Sequence, residues 1–146
     1  MWAKVPNLRN QHNSSTLGRI KVHFEFVLKA SSSRTILWTA ISTAGGLEGW
    51  FADRVTRRDN QLLFSWGKQE TRMAEVVAAR NYSFFRFRWT DDEGGPGEYV
   101  ELRMSFSELT GGYVLEVTDF ADEDEEEDAA SLWQWHIDKL RRSYGV

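Results

Sequence analysis

Gly46-Leu47-Glu48-Gly49-Trp50-Phe51 decides the fold, because it sets an aromatic pair three and four residues after a leucine, just beyond a glycine break. That spacing brings Leu47, Trp50 and Phe51 to one side of a short helix, where they press on whatever the rest of the chain encloses. Upstream, Val22, Phe24, Phe26 and Leu28 alternate with Lys21, His23 and Glu25, the period of a half-buried strand. Between the two, Ser31 to Ser33 offer N-caps for a first short helix through Ile41. Leu37, Trp38 and Ile41 share its face, and Gly45 and Gly46 stop it. The fold proper therefore begins at Ile20 with a strand and two short helices.

Downstream, turn residues punctuate the chain at Asp59-Asn60, Gly67-Lys68, Arg80-Asn81, Asp91 to Glu98 and Thr110-Gly111-Gly112. Alternation gives a dry face to Leu62, Phe64 and Trp66, to Phe85, Phe87 and Trp89, to Val100, Leu102, Met104 and Phe106, and to Tyr113, Leu115 and Val117. Short connections imply antiparallel neighbours. The open face of such a sheet must be covered by the remaining long element. Ala129, Leu132, Trp133, His136, Ile137, Leu140 and Tyr144 form a helical stripe suited to that task. The expected fold class is α+β, a helix-grip arrangement in which a curved antiparallel sheet of about six strands wraps around a long C-terminal helix. The acidic run Asp119 to Asp128 reads as a solvated helix start favoured by the helix dipole. It has no glycine for the sharp turn of a calcium loop.

Composition bounds the function. A chain of 146 residues, 41% apolar, fits one compact domain. A net charge of -4 removes the general attraction to phosphate backbones, so no nucleic-acid partner is expected. The absence of cysteine excludes disulfides and thiolate chemistry. No segment has the length of a membrane span or the form of a signal peptide, so a cytoplasmic location is expected. Residues 1–19, rich in Asn and Ser and broken by Pro6 and Gly18, read as a flexible tail, leaving 20–146 as the domain. His12, His23 and His136 are too scattered for a metal site, and neither metal nor cofactor is expected.

An aliphatic strand at Val22 to Leu28, a helix bearing Trp38, the Leu47-Trp50-Phe51 turn, a run of strands and a final Trp133-Ile137-Leu140 helix together resemble the START-like (SRPBCC, helix-grip) superfamily. They resemble in particular the branch named after the activator of the heat-shock chaperone ATPase. The resemblance implies space beneath the long helix and names no ligand.

Large aromatics can line such a space or fill it. The candidate ligand-binding residues are Trp38, Trp50, Phe51, Phe64, Trp66, Phe85, Phe87, Trp89, Met104, Trp133, His136 and Ile137, around a cavity expected to reach at least about 300 Å³. His136, a titratable group on the apolar stripe, is either an orienting or acid/base group or a core histidine satisfied by a neighbouring carbonyl or carboxylate. Arg86, Arg88, Glu101 and Arg103 read as a solvated ladder across strands. No nucleophile elbow, phosphate loop or dinucleotide fingerprint is present, and no catalytic residue is assigned. The expected function is non-enzymatic binding of a small hydrophobic or amphipathic molecule. A protein-interaction module of the chaperone-regulator kind and a cyclase- or aromatase-like enzyme using His136 are the alternatives.

Overall fold

A computed structural model describes residues 18–146 of the chain. The predicted tail lies outside the described residues except for Gly18 and Arg19, and Arg19 already opens the first strand. The strands are β1 (Arg19–Val27), β2 (Arg54–Arg58), β3 (Gln61–Trp66), β4 (Glu70–Arg80), β5 (Phe84–Trp89), β6 (Val100–Ser107) and β7 (Gly112–Asp122). They form one antiparallel sheet in the order β1-β7-β6-β5-β4-β3-β2. The count is seven, not about six. Neither β2, where Val55 alone is buried, nor β4, whose buried residues are Arg72 and Ala74, has the apolar alternation that marks the other five in the sequence.

Between β1 and β2 lie α1 (Arg34–Ser42) and α2 (Ala44–Leu47). Ser33 caps α1, its hydroxyl accepting from the Ile36 N–H at 3.2 Å. The second helix differs from the sequence reading: Gly45 and Gly46 are inside it, and Trp50 and Phe51 follow it in a turn. Gly46 is there because it lies against the Thr39 carbonyl, where a Cβ would collide with backbone. The aromatic pair is nevertheless buried, and Glu48 faces solvent, its carboxylate accepting from the Val55 N–H. The Trp50 indole donates to the Ala40 carbonyl at 3.0 Å and the Trp66 indole to the Phe51 carbonyl at 2.9 Å, so both polar edges are satisfied inside the core.

After β7 a short 3-10 turn (Glu123–Glu125) leads into α3 (Glu126–Tyr144). Glu126, Glu127 and Asp128 fill its first turn and Arg141 and Arg142 its last, both favourable to the dipole, and Gly145 closes it in the left-handed region at φ 68°. Ala129, Trp133, His136, Ile137 and Leu140 are its buried face. On the opposite face of the sheet, Arg86 and Arg103 both bond Glu101, at 2.7 and 3.2 Å, while Arg88 bonds Glu75 at 2.6 Å, a ladder that differs from the solvated one expected in that Glu101 is buried and Arg88 pairs with Glu75. Burial alone would raise the Glu101 carboxyl, but hydrogen bonds from Arg86 and Arg103 outweigh it and hold the group below its ordinary value.

Candidate functional site

The aromatic core is filled by ring-on-ring packing. Phe51 meets Phe64 edge-on at 5.2 Å and stacks on Trp133 at 5.6 Å, and Phe87 meets Trp89 edge-on at 5.3 Å. A cavity of about 110 Å³ remains between the sheet and the first turns of α3. This is well below the expected 300 Å³, because Trp50, Phe64, Trp66, Phe85, Phe87, Met104 and Ile137 pack into the centre and do not line it. Phe51, Trp89, Trp133 and His136 do line it. Trp38 is half-buried on α1, 6.0 Å from the Tyr82 ring and away from the cavity wall.

The polar part of the wall comes from residues that strand periodicity could have flagged. Asp119 continues the dry phase of Leu115 and Val117 along β7, and Arg72 stands in phase with buried Ala74 on β4. A charged residue on an apolar phase is the legible signal. Arg19, which the sequence reading assigned to the tail, reaches the rim from the start of β1.

Each arginine is tied down by carboxylates. The Arg72 guanidinium grips Asp91 through two bonds of 2.8 and 3.1 Å while lying 3.8 Å over the Trp89 ring. Arg19 bonds Glu98 at 2.8 and 3.0 Å and Asp122 at 3.0 Å. Burial lowers the Arg19 pKa, but these bonds and charges outweigh it and the net shift is upward.

Asp119 differs from the other carboxylates. Its Oδ2 accepts from the Trp133 indole at 3.0 Å and its Oδ1 from the Phe120 N–H at 2.8 Å, both neutral donors. The residue as a whole is only half-buried, yet its carboxyl is enclosed, and burial pushes it up to about 6 against the opposing pull of those donors and of Arg19 and Arg72. The acidic run is thus not uniformly solvated: Asp119 faces the cavity, Asp122 and Glu125 are buried, and the remainder forms the helix start.

His136 is fully buried, its ring 5.2 Å from those of Phe51 and Trp133. Its Nδ1 stands 3.0 Å from the Trp50 carbonyl, which only accepts, so Nδ1 carries the proton. Burial drives its pKa down to about 3, with Lys139 adding to the effect and the Trp50 bond opposing it. The imidazole is neutral near pH 7, which denies it the role of general acid there.

Two sets of ligand atoms come within 4.8 Å of one another among the described residues, His23 with Glu25 and Glu116 on the outer face, and Asp122, Asp124 and Glu125 before α3. The first lies away from the cavity, whereas Asp122 and Glu125 of the second line it. No described helix is long and apolar enough to cross a membrane.

The architecture has known counterparts. A solved structure of BfR322 from Bacteroides fragilis is 52% identical, covering 86% of this chain and 90% of that one with a TM-score of 0.62. The Aha1 dimer from Colwellia psychrerythraea shares the fold at 12% identity and a TM-score of 0.68, over 86% of this chain and 96% of its own. MLL2253 from Mesorhizobium loti does so at 16% identity and a TM-score of 0.67, over 84% and 95%. Among curated proteins no relative matches the sequence. The family model described as a START-like superfamily domain matches residues 17–146, and the chain belongs to that superfamily.

Proposed function

We propose that the domain binds a small hydrophobic or amphipathic molecule between the sheet and α3 without transforming it. The observation that carries this reading is the cavity itself, where the rings of Phe51, Trp89 and Trp133 meet the carboxylate of Asp119. Apolar walls with one or two orienting polar groups are the usual construction of a small-molecule site. A non-catalytic role agrees with His136, whose proton is held on Nδ1 by a backbone carbonyl and whose pKa is about 3.

At about 110 Å³ the cavity encloses a guest of a few heavy atoms, or one end of a longer molecule. The test is a titration with neutral apolar compounds graded in size from isobutanol to N-phenyl-1-naphthylamine, read by tryptophan emission. Saturable binding of the smaller members, abolished in a Trp133→Phe variant that retains its fold, is expected. If no member binds saturably, the small-molecule reading fails. The function then passes to the interaction alternative, for which the exposed outer-face pair Leu63 and Met73 is the specific support.

A further inference from the structure

We infer that the guest is a small organic cation, an alkylammonium with a short branched apolar tail, selected by the carboxylate of Asp119. This deepens the proposed binding function and rests on it. The inference follows from charge accounting at the cavity wall, where two guanidinium groups stand among four carboxylates, Arg19 and Arg72 with Glu98, Asp119, Asp122 and Glu125. Both cations are committed, Arg72 to Asp91 through two bonds and Arg19 to Glu98 and Asp122 through three. Asp119 has no ion-pair partner among the described residues; its two hydrogen bonds come from an indole and a backbone amide.

An enclosed carboxylate with no bonded cation is costly even with Arg19 and Arg72 nearby, and each of its oxygens keeps acceptor capacity beyond the one bond it receives. An entering ammonium would supply both charge and donors in a site shielded from water, where charge-assisted bonds are strongest. A carboxylate guest would meet Asp119 at close range with no uncommitted arginine to receive it. A neutral alcohol would gain the apolar contacts and one hydrogen bond to the carboxylate but would bring no charge to balance it. Size sets the tail: a dry cavity of roughly 150 Å³ accepts benzene, so about 110 Å³ suits four or five carbons.

The deciding experiment compares three probes with one isobutyl tail, isobutylammonium, isobutanol and isovalerate. They are titrated at pH 7.5 and low salt into the isotopically labelled full chain, following the indole N–H resonance of Trp133, which donates to Asp119. Isobutylammonium is expected to bind at least tenfold more tightly than isobutanol, and isovalerate to cause no saturable shift. Asp119→Asn should raise the ammonium's dissociation constant to that of the alcohol. If that variant does not fold, the wild-type series decides alone. Equal binding of ammonium and alcohol, or preference for isovalerate, overturns the charge selection and leaves the pocket standing. Failure of all three to bind overturns the pocket as well.

Discussion

Acidification should destabilise the wild-type chain by a term that a His136→Gln variant lacks. In the unfolded chain the imidazole titrates near 6.5, whereas in the fold burial holds it at about 3. Below 6.5 the unfolded state therefore takes up a proton that the native state refuses, and stability falls as pH drops until the folded value is reached. Each unit is worth about 1.4 kcal/mol, so at pH 4.5, two units below 6.5, the term amounts to about 3 kcal/mol. Glutamine can keep a donor toward the Trp50 carbonyl, which stands 3.0 Å from Nδ1, and does not titrate. Urea unfolding of both proteins from pH 7.5 to 4.5 gives the difference directly, and effects common to both chains cancel. The wild type should lose about 3 kcal/mol relative to the variant over that range. A difference independent of pH, within about 0.5 kcal/mol, would refute the claim that His136 is buried neutral.

Asp119 should show the opposite sign. Its folded value of about 6 lies above the reference of 3.8, so its contribution is fully present below 3.8 and lost as pH rises through 6; relative to Asp119→Asn, the wild type should lose up to about 3 kcal/mol between pH 4 and pH 8 in the same assay. Trp133→Ala should cost about 3 to 5 kcal/mol, since it empties a site stacked on Phe51 and withdraws the indole donor from Asp119; a loss under about 1 kcal/mol in urea unfolding would contradict that packing. Gly46→Ala should lower stability by more than about 2 kcal/mol because the new Cβ meets the Thr39 carbonyl, whereas Gly45→Ala, with nothing within 4 Å, should leave the melting temperature unchanged or raised.

What the sequence made legible is what short-range periodicity encodes. The alternation of β1, the cap at Ser33 and the stripe through Trp133, Ile137 and Leu140 each depend on neighbours within a few residues, and each has its counterpart in the structure. The second helix was misplaced because paired glycines read as a break. At Gly46 the missing side chain instead serves a close approach between α2 and the end of α1, a tertiary requirement. The cavity's volume was not legible either, since it depends on the angles at which Phe51, Phe64, Phe87 and Trp89 dock. Asp119 and Arg72 were within reach: strand parity sets both on the dry side, and weighing their phase before their charge would have found the polar wall.

The pairing of β1 with β7 has a kinetic consequence. Arg19 and Asp122, which meet at 3.0 Å, are 103 residues apart in sequence, and the chain between them builds the other five strands. Contacts closing loops of this length are slow to form, so β1 must wait for β7, its one strand partner among the described residues, to be made. During synthesis the stripe of Val22, Phe24 and Phe26 is exposed to water and to other nascent chains. Because the cavity rim joins Arg19 to Asp122 and Ala129, the cavity cannot form before the chain has been made past Ala129, so nothing that fills it can template the early steps of folding.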